Sequence, residues 1–258
     1  MSQDKNLFYV ANSELVKNEI HNYYKVPKSR VRVIENGIDV KTFHPISGFK
    51  KENAKKKLGL NPKSPVILFV GSGFQRKGAF ELVEAIKLLP KFQAIIVGHD
   101  KKIKALRVLA NEKRILITGS QDNIKPYLDA SDIFCLPSMY DSLPNAALEA
   151  LCCGLPVVIT KDVGLFSRIS EYNAGVICHK NKNSIAEALT EAWKKRKLFS
   201  KNALKVAKVF DIKLKNKEWF DLYNELINRK KIKVLHTESS LGWGGQEIRV
   251  LTDCLLYT

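Results

Sequence analysis

A regular alternation dominates residues 64–210: short apolar runs rich in β-branched residues are separated by longer amphipathic runs. Two of the apolar runs are VILFV at residues 66–70 and PVVIT at residues 156–160. Buried strands that alternate with amphipathic helices are typical of a parallel sheet covered by helices on both faces. The sequence therefore predicts an α/β fold with a Rossmann-like, doubly wound parallel sheet.

The amphipathic runs carry helix signals at their ends. Residues 80–89 place apolar side chains on one helical face, and Pro90 ends that element. Nearer the end of the unit, Ser184 and Glu187 have the spacing of a capping box, which predicts a helix that starts at Ser184.

The flanks do not continue the alternation, and they divide the chain into four parts. Residues 1–48 read as a strand, a helix, a strand and an Asn-Gly turn, and residues 49–210 form the doubly wound unit. Residues 211–230 are predicted to be a charged helix. Residues 231–258 read as a new strand, a glycine-rich loop and the first turns of a helix.

The formal net charge of the chain at pH 7 is strongly positive, at +17, because 43 Lys and Arg residues outnumber 26 Asp and Glu residues. Such an excess predicts attraction to polyanions, although solvated helix faces would have the same composition. No basic run interleaves aromatic residues as a base-stacking surface does, which argues against nucleic acid and leaves an anionic membrane surface or a phosphorylated substrate.

Targeting signals and metal patterns are missing from the sequence. No apolar run is long enough to span a bilayer, and the first residues lack the layout of a signal peptide, so we expect a cytoplasmic protein, peripheral at the inner face of the membrane. The five cysteines have no metal-ligand spacing, and we expect buried free thiols and no metal.

A glycine-rich loop follows the first strand of the doubly wound unit. Gly71, Ser72 and Gly73 let the backbone approach a ligand, and Arg76 and Lys77 add positive charge beside it. The N-terminus of the next helix points to the same place, which suits a diphosphate. Short glycine-rich turns are also common between strands and helices, so this loop alone leaves both interpretations open.

A second constellation consists of Asp141, Asn145 and Glu149. If a helix starts near Leu143 or Pro144, Asn145 and Glu149 share one face and Asp141 lies in the preceding loop. Carboxylates accept hydrogen bonds from pairs of hydroxyl groups, so the two acids are suited to hold sugar or ribose. The alternative is that Asp141 only caps the helix and that Glu149 is solvated.

Three blocks occur in a fixed order along the unit: VILFVGSGFQRKG, AIIVGHD and ITGSQDNIKPYLDASDIFCLPSMYDSLPNAALEALCCGLPVVIT. This order resembles the donor-binding domain of family 4 retaining glycosyltransferases of the GT-B fold, with the lipopolysaccharide core glucosyltransferases most similar. The resemblance implies a donor-binding half of a GT-B enzyme, with partial N-terminal-domain segments at both ends of the chain.

The resemblance also implies roles for particular residues. Asp141 stands where the family has a glutamate near the donor sugar, and Glu149 matches the acid that binds the ribose. Lys77 matches the family's phosphate lysine, while Ser72 replaces an arginine for which Arg76 substitutes. The backbone that faces the phosphates is that of Ser142, Leu143, Pro144 and Asn145.

In the flanks, the resemblance implies that residues 1–48 are the end of an acceptor-binding domain. Residues 231–258 look like the opening of a second such domain. Its loop, with Gly242, Gly244 and Gly245, is a further candidate for phosphate binding. Most of an acceptor domain is thus expected to be absent before Met1, and a complementing acceptor domain is an expected partner.

The implied reaction moves a hexose from a nucleoside-diphosphate sugar, with a UDP-sugar as the working assumption, to a glycan or lipid acceptor of the cell envelope with retention. Lys77, Arg76 and Asp141 are the expected catalytic residues, and no cofactor is needed. The alternative is a non-catalytic donor-binding fragment or a decayed gene product.

Two other enzyme classes fit the sequence less well. A nucleotide-sugar epimerase needs a catalytic Tyr-x-x-x-Lys, which is not found in the expected context. A dinucleotide-dependent dehydrogenase needs a third glycine in the loop that starts at Gly71, and only Asp100 is available as its ribose-binding acid.

Overall fold

The computed structural model describes residues 8–227 and contains two parallel sheets. The smaller sheet pairs β1 (Tyr9–Ala11) with β2 (Val31–Val33). The larger sheet has six strands: β3 (Val66–Val70), β4 (Gln93–Val97), β5 (Ile115–Gly119), β6 (Ile133–Leu136), β7 (Val157–Ile159) and β8 (Gly175–Ile177).

Helices follow or precede the strands throughout the described residues. A short 3₁₀ turn at Lys28–Arg30 leads into β2. The α-helices are α1 (Glu14–Tyr24), α2 (Gly48–Lys57), α3 (Phe74–Lys77), α4 (Ala79–Lys87), α5 (Ile103–Leu109), α6 (Lys125–Asp129), α7 (Asn145–Cys152), α8 (Phe166–Tyr172), α9 (Lys182–Lys194), α10 (Arg196–Val209) and α11 (Ile212–Ile227).

The large sheet confirms the predicted α/β fold with a parallel sheet. Its strand order is β5-β4-β3-β6-β7-β8, and every neighbouring pair is parallel. Residues 66–69 of β3 are completely buried because helices cover both faces, which explains the continuous apolar run in the sequence.

The strand order also locates a crevice. The chain moves outward from β3 to β4 and β5 and then returns to place β6 on the other side of β3. Open parallel sheets bind ligands at such a reversal, beyond the carboxyl ends of the two strands that flank it. The loops after β3 and β6 are therefore neighbours, and they contain the residues that the sequence singled out.

One predicted helix start is wrong. The helix α9 begins at Lys182, and its cap is Asn181, whose side-chain oxygen accepts a hydrogen bond of 3.0 Å from the amide of Ser184. Asn181 has the extended backbone that a cap requires, whereas Ser184 lies inside the first turn. The Ser184 hydroxyl instead accepts a hydrogen bond of 3.0 Å from the amide of His179.

The small sheet is covered on both faces. The helix α1 packs on the face that carries Ala11 and Val31, and α11 packs on the face that carries Val10 and Ile34. Arg32 pairs with Glu225 at 2.7 Å, near the C-terminal end of α11, while the later Glu35 pairs with Lys215 near its start. The helix α11 therefore runs antiparallel to β2.

The small sheet with α1 and α11 forms the small unit, and the six-stranded sheet with its helices forms the large unit. Two segments connect these units, and they lie side by side. The amide of Ile38 donates to the carbonyl of Phe210 at 2.7 Å, and the amide of Ile212 donates to the carbonyl of Ile38 at 3.0 Å. Ile38 thus pairs with residues 210–212 where the two segments cross between the units.

None of the helices within residues 8–227 is long and apolar enough to cross a bilayer.

Candidate functional site

The loop after β3 places a lysine directly above a glycine. Gly71 has φ of 153° and Gly73 has φ of 76°, conformations that residues with a Cβ rarely adopt. A Cβ on Gly71 would lie 2.6 Å from Cδ and 2.9 Å from Nζ of Lys77. The side chain of Lys77 therefore folds back over the loop, and this position is possible only because Gly71 has no side chain.

The loop after β6 holds Asp141 by its backbone. The amide of Asp141 donates to the carbonyl of Asp162 at 3.2 Å, and its carbonyl accepts from the amide of Gly164 at 2.8 Å. These bonds join the loop after β6 to the loop after β7. The position of the Asp141 side chain is therefore set by two adjacent loops of the sheet.

The two loops meet in an ion pair. The ammonium nitrogen of Lys77 lies 3.1 Å from Oδ2 of Asp141, and the two side chains are only 18% and 12% exposed. Because a carboxylate and an ammonium in partly buried surroundings attract each other strongly, this pair fixes the lysine at the mouth of the crevice. The sequence placed both residues in the site but did not predict that they touch.

Arg76 links the same two loops from the solvent side. Its guanidinium donates to the carbonyl of Tyr140, and its own carbonyl accepts from the amide of Met139 at 2.8 Å. Arg76 and Ser72 are both exposed. Arg76 is thus close to the position at which the sequence predicts a phosphate.

The helix α7 begins at Asn145 with Pro144 in the extended conformation before it, as the sequence predicted. Leu143 and Pro144 are buried, Ser142 is partly buried, and Asn145 is exposed. The first amides of α7 have no partner within the helix, and the helix dipole adds partial positive charge there. The start of α7 is therefore a favourable place for an anion at the end of β6.

Glu149 lies one turn into α7, on the same face as Asn145. Burial raises the pKa of its carboxyl from 4.5 to about 7. Glu149 is partly buried, so its side chain is not fully exposed to solvent. Within residues 8–227 no ion pair compensates this burial, so the carboxyl group is available to a ligand that supplies hydroxyl donors.

Asp100, the one acid that a dehydrogenase would use for ribose, has a different role. Its Oδ2 accepts a hydrogen bond of 3.0 Å from the amide of Phe74, at the start of α3. The amide of Lys102 donates to Oδ1 at 2.7 Å, and these bonds lower the pKa of Asp100. Asp100 therefore stabilises the start of α3.

The small unit contributes polar residues that the sequence analysis did not single out. Three contacts cross the cleft to the loop after β6 and the start of α7: Asn36 to Asn145 at 2.8 Å, Asn12 to Ser142 at 3.4 Å, and Tyr140 to Glu19 at 2.8 Å. The only sequence signal for any of them was the Asn-Gly turn that contains Asn36.

Other sequence predictions fall outside the site or outside the described residues. Cys135, Cys152, Cys153 and Cys178 are buried free thiols, as predicted, whereas Cys254 lies beyond residue 227. The described residues contain no group of three acidic, histidine or cysteine side chains arranged to hold a metal. Gly242, Gly244 and Gly245 lie outside the described residues.

A crevice at the switch point of an open parallel sheet is the place where α/β proteins of this class bind their ligands. Comparison with known protein families identifies the family to which this α/β protein belongs. Residues 50–206 match the family described as Glycosyl transferases group 1, and the chain belongs to that family.

A curated relative extends this match into the flanks. The UDP-Gal:alpha-D-GlcNAc-diphosphoundecaprenol alpha-1,3-galactosyltransferase of Escherichia coli is 30% identical over 221 residues, which cover 80% of this chain and 57% of that protein. The chain spans about half the length of the curated relatives that it matches.

Solved structures share the fold. A glycosyltransferase from Rickettsia africae superposes with a TM-score of 0.79 and 23% identity, covering 88% of this chain and 65% of the other. The Anabaena protein HepE, crystallised with UDP and glucose, superposes with a TM-score of 0.76 and 21% identity, covering 84% and 63%. The fold is that of GT-B glycosyltransferases, as the sequence predicted.

Proposed function

We propose that this chain supplies the donor-binding half of a retaining glycosyltransferase that transfers a hexose from a UDP-sugar to a cell-envelope glycan or lipid. The observation that carries the proposal is the partly buried ion pair of Lys77 and Asp141 at 3.1 Å, beside Gly71 and the start of α7. It brings a phosphate-binding cation and an acid suited to a sugar to one point of the crevice.

Each residue has a role that its position supports. Lys77, Arg76 and the first amides of α7 stabilise the negative charge that grows on the departing diphosphate. Glu149, ionised, accepts two ribose hydroxyls. Asp141 lies beside the sugar and competes with the diphosphate for Lys77. Most of the rate enhancement then comes from positioning donor and acceptor together, which needs no metal or cofactor.

The choice of donor and acceptor is supported by the printed names of similar proteins. The Escherichia coli relative uses UDP-Gal and a diphosphoundecaprenol acceptor, and HepE was crystallised with UDP. Because Asp141 is one carbon shorter than the glutamate expected from the family resemblance, we propose that the sugar contact differs from that of typical members.

Calorimetric titration with UDP and then UDP-glucose tests the donor. We expect saturable binding, and Glu149→Ala should weaken it by about 10- to 100-fold, because two hydrogen bonds to a charged group are lost. Glu187→Ala is a matched control, since Glu187 is an exposed glutamate on α9. Absence of binding by folded protein would eliminate UDP-sugars as the donor, and binding without transfer would favour the non-catalytic alternative.

A lipid acceptor requires a membrane surface, and α10 offers a complementary charge. Its sequence, RKLFSKNALKVAKV, has five basic residues and no acidic one. Its four lysines are exposed and form the basic face of α10: Lys197, Lys201, Lys205 and Lys208. Leu198, 49% exposed, lies next to this face. We propose that the basic face of α10 binds anionic lipid.

Sedimentation with vesicles tests this surface. The protein should bind vesicles that contain phosphatidylglycerol and lose binding in high salt. Replacing Lys201 and Lys205 by glutamine should weaken binding by about 30-fold, at ~1 kcal/mol per lysine. The matched control replaces Lys101 and Lys104, which are exposed around the start of α5. Equal loss in both variants would mean that net charge, and not this face, is responsible.

A further inference from the structure

Asn36 occupies a fixed position at the junction of the two units. It is 7% exposed and follows Glu35, which is equally buried. Two cations hold the Glu35 carboxylate: Arg168 through two hydrogen bonds of 3.1 Å, and Lys215 at 3.3 Å. Two residues later, Ile38 is bonded to Phe210 and Ile212. The backbone on both sides of Asn36 is therefore held in place, which restricts the positions that the Asn36 side chain can adopt.

The side chain of Asn36 reaches the first residue of α7. Its Nδ2 donates a hydrogen bond of 2.8 Å to Oδ1 of Asn145. An asparagine carboxamide has an oxygen acceptor on one side and an NH₂ donor on the other. Because the oxygen of Asn145 is directed at Asn36, its NH₂ group is directed away from Asn36. Asn145 is exposed, whereas Asn36 is buried, so this NH₂ group is accessible to a ligand.

We propose that Asn36 is a positioning residue that sets the polarity of the Asn145 carboxamide, so that Asn145 presents a donor to the diphosphate of the bound sugar nucleotide. This inference rests on the proposed function. The NH₂ group then adds to the unpaired amides at the start of α7, and all of them favour an anion. With the carboxamide reversed, Asn145 would direct an oxygen toward the phosphates and repel them.

An aspartate at position 36 reverses this polarity without changing the size of the side chain. A carboxylate can only accept, so Asn145 must rotate and donate its NH₂ group to it. In Asn36→Asp we therefore expect UDP affinity to fall by about 30-fold, and in Asn36→Ala, which lets Asn145 turn freely, by about threefold. Uridine, which lacks the phosphates, should bind wild type and both variants equally.

A double-mutant cycle separates this effect from the charge of the new aspartate. In an Asn145→Ala background, Asn36→Asp and Asn36→Ala should have the same UDP affinity, because no carboxamide remains to be turned. If Asn36→Asp is still about tenfold weaker than Asn36→Ala in that background, the new charge acts directly on UDP and the inference is overturned. A matching loss of uridine binding in Asn36→Asp would show a general structural role and would also overturn it.

A measurement on the wild-type protein keeps the inference testable if the variants unfold. In side-chain amide NMR, UDP should shift the Asn145 NH₂ resonances and leave those of Asn36 nearly unchanged, while uridine should shift neither. Unshifted Asn145 resonances in the presence of saturating UDP would overturn the inference. If wild type binds no UDP at all, the proposed function fails first, and that result is distinct from UDP binding with an unshifted Asn145.

Discussion

Replacing Lys77 by alanine is expected to weaken UDP binding by about 10- to 100-fold. Its ammonium group is held at the mouth of the crevice by Asp141 at 3.1 Å and is only partly exposed, so a phosphate that enters meets a positioned and poorly hydrated charge. A charge-assisted hydrogen bond in such a place is worth about 1.5–3 kcal/mol. Titration calorimetry with UDP and uridine measures the effect, which should vanish for uridine.

Replacing Asp141, the ion-pair partner of Lys77, is not expected to weaken UDP binding. Asp141→Asn keeps the shape of the side chain but removes the negative charge that competes for Lys77. We expect UDP affinity to stay the same or to rise by about threefold, because less Coulomb attraction has to be given up. Transfer to an acceptor should nevertheless fall, since Asp141 is the proposed sugar contact. If Asp141→Asn weakens UDP as much as Lys77→Ala, the ion pair supports the loop and does not compete with the ligand.

Glu149 should make the protein less stable as the pH rises from 4.5 to 7. The partly buried carboxyl keeps its proton up to a pKa of about 7, while the same group in the unfolded chain loses it near 4.5. Between these values the folded state binds more protons than the unfolded state, so the free energy of unfolding falls with increasing pH. Glu149→Gln removes this loss, and at pH 8 it should be more stable than wild type by about 3 kcal/mol, since one pKa unit corresponds to about 1.4 kcal/mol.

Urea unfolding at pH 4, 6 and 8 measures this difference. The gap between Glu149→Gln and wild type should be near zero at pH 4 and complete at pH 8, whereas the exposed Glu187→Gln should track wild type throughout. A gap that is independent of pH would show that the Glu149→Gln substitution stabilises the protein for another reason. In the wild type, UDP affinity should rise as the pH passes 7, because the ionised form is the one that accepts two hydroxyl donors.

The sequence located most of the proposed site because its signals are local. The loop from Gly71 to Lys77 and the start of α7 at Asn145 follow from glycine, proline and helical spacing within a few residues. The partial burial of Glu149 could not be predicted from the sequence, because the same alanine-rich helical turn can face either solvent or the protein core. The helix cap at Asn181 was missed because Ser184 had the stronger local pattern.

Contacts between segments that are distant in the chain could not be predicted from the sequence. Lys77 and Asp141 meet only because β6 inserts beside β3, and that strand order is a property of the assembled sheet. Asn36 and Asn145 are 109 positions apart, so no local spacing connects them. The contact between Asn36 and Asn145 forms only when the two units dock, which explains why the small unit's part in the site was not predicted.

The pairing of Ile38 with residues 210–212, where both segments cross between the units, restricts how the units can move. Both connections pass through one place, where Ile38 is bonded to Phe210 and Ile212 and where Glu35 is held by Arg168 and Lys215. Two units connected only at this place can undergo a hinge rotation about it, but they cannot translate away from each other. Contacts far from this place, such as Tyr140 with Glu19, would separate first on opening, while the neighbours of Ile38 would stay together.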